Sequence, residues 1–294
     1  MQNTSIDQLK EHAKELRKTA VTMVYEAQSG HPGGSLSAAD LVSYLYFREM
    51  DYRPQEPAWP DRDRFVLSKG HVAPILYSAL AMTGFVPMET IHTLRKMGSP
   101  FQGHPDSKKC PGVEISTGSL GQGISPAVGM ALAGKRDGKD YRVFCLLGDG
   151  ECQEGQVWEA LQCAHTYQLD NFFAIIDQNN LQIDGHTDEV SPNLDFVKKL
   201  EAFGYDAHEV DGHDMQAIAD LFDELRDKKD GRPKGIVLHT IKGKGVSYME
   251  DVASWHGTAP NEEQWNQALE ELESPPDRAQ YEEAIEDIEE GLDR

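Results

Sequence analysis

Two apolar runs, each ending in a polar turn, constrain this chain more than any other feature. The first, Tyr141 to Leu147, runs into Gly148-Asp149-Gly150-Glu151. The second, Asn171 to Asp177, runs into Gln178-Asn179-Asn180-Leu181. A short, nearly continuous apolar run reads as a strand buried on both faces. Residues 154–167 between them carry helix formers. Strand, helix and strand in that order make a parallel unit with a crossover. Such a unit delivers both turns to the carboxyl edge of the sheet, where open α/β sheets bind ligands. Asp149 and Asn179, 30 positions apart, supply hard oxygens of the kind Mg²⁺ or Ca²⁺ takes, leaving the rest of its shell to phosphate and water. The glycines let the backbone come close to a diphosphate and offer it N–H groups. A lone Gly-Asp-Gly would be an ordinary turn. Paired with Asn-Asn after a second strand, it reads as a metal–diphosphate site.

The same alternation runs through the chain. Strands are expected at 64–67, 141–147, 171–177, 206–210 and 235–240. Helices are expected at 5–26, 37–47, 73–83, 87–95, 122–134, 154–167, 194–203, 215–227 and 262–273. This is the pattern of an α/β protein with a doubly wound parallel sheet and helices on both faces. Residues 97–123, dense in Gly and Pro, read as a long structured loop of the kind that carries function. One large domain is expected over 1–273. An acidic, helix-like tail follows over 274–294, read first as a solvated peripheral element and second as a docking segment.

With 294 residues the chain can bury a large core. Its formal net charge of −22 excludes the basic footprint of a nucleic-acid binder and attraction to anionic membranes. No apolar run is long enough to span a bilayer and no signal peptide is visible, so a cytoplasmic protein is expected. Cys110, Cys145, Cys152 and Cys163 show no CxxC spacing and read as reduced packing cysteines.

Further segments join the two turns: Ser29-Gly30-His31-Pro32-Gly33-Gly34, Ser68-Lys69-Gly70-His71, Gly103-His104-Pro105, Ser116-Thr117-Gly118-Ser119-Leu120-Gly121-Gln122-Gly123 and Trp255-His256-Gly257. In this order the set closely resembles the N-terminal half of transketolase, over roughly residues 10–270. The resemblance implies a thiamin diphosphate (ThDP) site and carbon–carbon bond chemistry. It implies that Asp149 and Asn179 bind Mg²⁺ (or Ca²⁺) through their side chains and Leu181 through its carbonyl. Gly150, His71 and Asn179 would contact the diphosphate, and Gly118, Ser119 and Leu120 would line the aminopyrimidine and thiazolium. His31, His104 and His256 would face the sugar, with His256 also near the cofactor. Glu154 and Glu159 fall where the family places interface glutamates. Histidine suits chemistry that moves protons on and off sugar oxygens. The remaining histidines, such as His12, His92, His165 and His239, read as structural.

Long transketolases add a pyrimidine-binding and a C-terminal domain. The resemblance places on those the glutamate that activates ThDP, the pyrimidine pocket and the arginines that grip a sugar phosphate. This chain resembles the first domain alone, so the expectation is a split enzyme. It would pair with a C-terminal, pyrimidine-binding subunit, self-associate as α2β2, and act on sugar phosphates or related ketoses with no nucleic acid or membrane involved. Two departures stand out. Thr240-Ile241-Lys242-Gly243-Lys244-Gly245 is closer to deoxyxylulose-phosphate synthase than to long transketolases, and the sequence leaves open whether Lys242 faces the cofactor or solvent. The 111–118 segment is compact. Competing readings are a subunit of another ThDP enzyme and a non-catalytic partner module of the same fold. Glu154-Gly155 and Gly103-His104-Pro105 favour transketolase over the former.

Overall fold

The computed structural model describes residues 4–273; the expected acidic tail lies outside them. In chain order the elements are helices α1 (Ile6–Ala27), α2 (Pro32–Ser37) and α3 (Ala39–Tyr44), strand β1 (Arg64–Leu67), helices α4 (Ala73–Met82) and α5 (Ile124–Arg136), strand β2 (Val143–Gly148), helix α6 (Gly155–Thr166), strands β3 (Phe172–Gln178), β4 (Leu181–Gln182) and β5 (Gly185–His186), helices α7 (Thr187–Val190) and α8 (Phe196–Ala202), strand β6 (Asp206–Asp211), helix α9 (Met215–Leu225), strand β7 (Lys234–His239) and helix α10 (Glu262–Glu273). Five strands form one parallel sheet in the order β1-β2-β3-β7-β6, and β4 and β5 form a separate antiparallel hairpin.

The apolar runs become strands because both faces of the sheet are covered. Phe65, Phe144, Leu146, Phe173, Ile175 and Ile236 point into a core shared with α1, α3, α4 and α9. Val66, Val143, Cys145, Phe172, Ala174 and Val237 point into a second core shared with α5, α6 and α8. Neighbours along a strand thus serve opposite cores, as the pleat requires. A third cluster, with Val21, Leu36, Val246, Trp255 and Leu272, closes the carboxyl side beneath α10. All four cysteines are free; Cys110, Cys145 and Cys152 are buried. Among the described residues no helix is long and apolar enough to cross a membrane.

Five sheet strands and the long helices match expectation within a few residues. α1 begins at a capping box, in which the Ser5 hydroxyl accepts from the Gln8 amide and the Gln8 side chain accepts from the Ser5 amide. Two expected helices differ, and α2, the β4–β5 hairpin and α7 were not expected. The expected helix 37–47 is broken: α3 ends in a π-helical turn, Leu45–Glu49, and a separate short α2 precedes it. α2 starts at Pro32, whose missing N–H costs nothing at a first turn. The expected helix 87–95 is a 3₁₀ segment, Met88–Thr93.

Candidate active site

The register of β2 on β3 pairs Gly148 with Asp177, so Asp149 and Asn179 both emerge just past the last paired residues. The Asp149 carboxylate is buried and accepts from the Asn180 amide at 2.6 Å and the Gly150 amide at 2.7 Å. Burial, and next the nearby charge of Asp177, pushes its carboxyl up to about 6. The Asn179 Oδ1 lies 3.2 Å from the Leu181 amide, and the Asn193 side chain donates to the Asp149 carbonyl at 2.9 Å. Asn180, at φ 61°, turns the chain from β3 into the β4–β5 hairpin.

Asp149, Gly150, Asn179 and Leu181 line one cleft of about 300 Å³. Its wall includes Gly34, Lys69, His71, Leu120, Gly148, Asp149, Gly150, Glu154, Asn179, Leu181, Lys242 and His256. The donor set suits a divalent cation carried by a diphosphate. It offers one carboxylate, one amide oxygen and one main-chain carbonyl. Among the described residues no group of three His, Cys, Asp or Glu side chains could hold a metal, so a cation here would need phosphate oxygens in its shell. Glycines allow close packing in the cleft wall. A Cβ on Gly34 would stand 2.7 Å from Val72 Cγ1, and one on Gly150 would stand 3.1 Å from Gln182 Cβ.

Two buried lysines enter this cleft. Lys69 pairs with Asp177 beneath the turns. Asp177 also accepts from the hydroxyls of Ser37 and Thr240. Burial opposes its charge, but Lys69 and these hydrogen bonds still hold the Asp177 carboxyl below the usual range. Lys242 donates to the Leu181 carbonyl at 3.0 Å and lies 2.8 Å from His256 Nδ1. Burial lowers its ammonium to about 8. The alternative that the sequence left open is therefore decided: Lys242 points inward. The sequence alone leaves this open because no periodicity marks which side of the Lys242-Gly243 turn faces the sheet edge.

Four histidines from four separate segments meet above the cleft. The rings of His31 and His71 are 5.2 Å apart, His31 and His256 5.5 Å, His31 and His104 6.4 Å, and His71 and His256 4.9 Å. All four are held below the ordinary histidine value. Burial and then Arg95 lower His31 to about 4; burial and then Lys242 lower His256 to about 3. His71 is lowered by burial and the His256 ring, and His104 by burial and Arg95. His31 Nδ1 is buried with no hydrogen-bond partner. A buried polar atom of this kind calls for a ligand or water.

The 117–121 loop carries Gly118, Ser119 and Leu120 beside them. Gly118, at φ 140°, packs so closely that a Cβ would stand 2.8 Å from His104 Cγ. Glu151, which sequence reasoning passed over, ties this loop down. Its carboxylate accepts from the Ser68 hydroxyl at 2.5 Å, the Gly121 amide at 2.9 Å and the Gly148 amide at 3.1 Å. Leu120 lines the cleft, whereas Ser119 is exposed. Glu154, before α6, and Glu159, on α6, are exposed. The four histidines named above as examples of structural ones lie elsewhere. His12 stacks on Phe47, His92 pairs with Glu26, His239 pairs with Glu209, and His165 packs on Gly204.

A doubly wound parallel sheet with this set of turns, lysines and histidines at its carboxyl edge defines a ThDP-binding domain. Comparison with known proteins agrees. Residues 8–287 match the family model described as transketolase, thiamine diphosphate binding domain, and the chain belongs to the transketolase family. It is 42% identical over 273 residues to a 6-deoxy-6-sulfo-D-fructose transketolase subunit of Clostridium sp. (strain MSTE9), covering 93% of this chain and 98% of that one. It is 43% identical over 267 residues to an apulose-4-phosphate transketolase subunit of Phocaeicola vulgatus, covering 91% and 94%. The structure superposes on transketolase from Campylobacter jejuni with a TM-score of 0.87 and 34% identity, covering 98% of this chain but 48% of that longer one.

Proposed function

We propose that this chain, as a single domain over 1–273 with an acidic tail, is the ThDP-binding subunit of a two-chain transketolase. The enzyme would move a two-carbon ketol unit from a ketose to an aldose. The observation that carries the reading is the convergence of the diphosphate turns and four histidines on one cleft. Asp149, Asn179 and the Leu181 carbonyl would hold Mg²⁺. Gly150, His71 and Lys242 would meet the diphosphate, and Gly118, Ser119 and Leu120 would flank the ring system. When bound, ThDP supplies the carbanion stabilisation. The protein's own part is to bind, orient and handle protons. Held neutral, His31 and His104 each offer one N–H and one lone pair to a sugar hydroxyl or carbonyl, whereas His256, whose Nδ1 accepts from Lys242, offers its Nε2–H.

The two subunit-length relatives carry by name a sulfo and a phosphate group on their sugars. An anionic ketose is the substrate class we assign here too. Arg95, whose charge reaches His31 and His104, supplies a cation on that side. A partner chain of the pyrimidine-binding kind would complete each site in an α2β2 assembly, with Glu154 and Glu159 at an interface between subunits, and the cytoplasm is the proposed location. Native mass spectrometry of the chain isolated from its own cells tests this. A second chain in equal copies, and ketol transfer only by the complex, is the expected result. Ketol transfer by this chain alone at ordinary enzyme rates would overturn the requirement for a partner.

A further inference from the structure

The loop between β6 and α9 reads Asp211-Gly212-His213-Asp214. Asp214 caps α9 by accepting from the amides of Gln216 and Ala217. Gly212 lets the loop run close to β7: its amide donates to the His239 carbonyl at 2.8 Å, and a Cβ there would stand 2.5 Å from Thr240 Cγ2. His213 has no place in the chemistry above, yet both of its ring nitrogens are engaged. Nδ1 lies 2.8 Å from Asp40 Oδ2, and Nε2 lies 2.9 Å from the main-chain nitrogen of Ile241. An amide can only donate, so Nε2 must accept, and the proton sits on Nδ1, facing the carboxylate. Asp40 is held from behind by Arg17, whose Nε also donates to the Leu36 carbonyl at 3.1 Å.

Ile241 precedes Lys242. On the other side of Lys242 the Gly243 amide donates to the Gly33 carbonyl at 2.9 Å. The backbone of Lys242 is therefore gripped on both flanks. One grip is main chain to main chain. The other is a single side chain whose orientation an Asp–Arg pair fixes.

We propose that His213 is a positioning residue: oriented by Asp40, it anchors the Ile241 amide and so aims the Lys242 ammonium at the Leu181 carbonyl and His256. The consequence for cofactor affinity rests on the function proposed above; the anchor itself does not. Without His213 the Ile241 amide loses its acceptor, and the 241–242 segment keeps only main-chain holds beside it: the Asp251 amide on the Lys242 carbonyl at 3.0 Å, the Lys244 amide on the Ile241 carbonyl at 3.2 Å, the Thr240 amide on the Gln178 carbonyl at 3.1 Å, and the Gly243 grip. The Lys242 side chain, now buried, becomes accessible.

The test compares His213→Leu and His213→Gln with the wild-type chain. Amide hydrogen exchange is read at Ile241, and covalent amine labelling is read at Lys242 by mass spectrometry. Lys234, fully buried at the far end of β7 and bonded to Asp230, is the control for global opening. In His213→Leu the Ile241 amide should exchange, and Lys242 label, at least about tenfold faster, with Lys234 unchanged. His213→Gln should restore both, because its amide donates to Asp40 and accepts from Ile241. Unchanged exchange and labelling in His213→Leu would overturn the proposal. If His213→Leu also opens Lys234, the wild-type chain decides by ¹⁵N NMR. A proton on Nδ1, with scalar coupling between the Ile241 nitrogen and Nε2, upholds the anchor, and a proton on Nε2 overturns it. Mg²⁺–ThDP affinity should fall about tenfold in His213→Leu and recover in His213→Gln, as when a partner behind a metal ligand is lost. If no variant, nor the wild type with its partner, binds Mg²⁺–ThDP while the labelling behaves as expected, the cofactor reading fails and the anchor stands.

Discussion

The imidazoles of His71 and His256 stack with ring centroids 4.9 Å apart and planes inclined by 21°. Two cations could not share that spacing in a buried cleft. The stack is thus built for neutral rings, in keeping with the lowered values of all four clustered histidines.

A pH prediction follows with a definite sign. For His31 and His256 the folded values, about 4 and about 3, lie below the ordinary 6.5. The unfolded chain therefore binds protons first, and these groups withdraw stability as pH falls below about 6.5. Imidazole NMR signals of His31 and His256 should stay flat from pH 8 to about 5. The loss of stability between pH 6.5 and 5 should be smaller in His256→Asn than in the wild type. A His256 signal that titrates near 6.5 would refute the assignment.

Asp149→Ala removes the only carboxylate among the expected metal ligands. The far-UV circular dichroism of the chain should be preserved. Mg²⁺-dependent ThDP affinity of the chain with its partner should fall by more than about 100-fold, beyond the range of an outer-shell change. Calorimetric titration checks this, and unchanged affinity would refute the site.

His256→Ala separates two roles. If His256 serves the sugar, turnover in the complex should fall more than ThDP affinity does, and a binding curve beside steady-state kinetics reads the difference. Equal losses would assign it to the diphosphate.

The Lys69–Asp177 pair is almost wholly buried, with side chains 2% and 0% exposed. Lys69→Met leaves a buried carboxylate without its cation and should cost about 3 kcal/mol or more. The double change Lys69→Met with Asp177→Asn should recover part of that loss, because the amide keeps partners in Ser37 and Thr240. Urea midpoints measure both.

Gly118→Ala places a methyl against His104 at a φ that L-residues resist. A stability loss of about 1–2 kcal/mol is expected from the backbone, with a larger proportional loss of turnover in the complex as His104 is displaced. A variant with full turnover would mean that His104 has room to move.

Much of this could be read in the chain. The strands were legible because burial on both faces leaves uninterrupted apolar runs, and the turns because Gly-Asp-Gly and Asn-Asn stand directly after them. What escaped depends on tertiary proximity. Lys69 and Asp177 are 108 positions apart, and nothing local says that they pair. Lys242 looked like one of two alternating lysines in a glycine loop. α2 was invisible because Gly33 and Gly34 are poor helix formers; packing against the rest of the fold holds it. The β4–β5 hairpin is two residues per strand, too short for alternation to register.

The pairing of Gly148 with Asp177 has a bearing on how this architecture tolerates change. The site depends on which residues lie level across β2 and β3, because a slip of one would turn the Asp149 side chain toward the opposite core. The interval of 30 residues between Asp149 and Asn179 is set by the crossover through α6, most of which touches neither ligand. Extra residues in the Tyr167–Asn171 connection would lengthen that interval and leave the proposed metal ligands in place, whereas a single deletion inside β3 would displace Asn179 from Asp149. Distant members of the family can therefore differ in the distance between the two motifs and still share the site, provided each motif directly follows its strand.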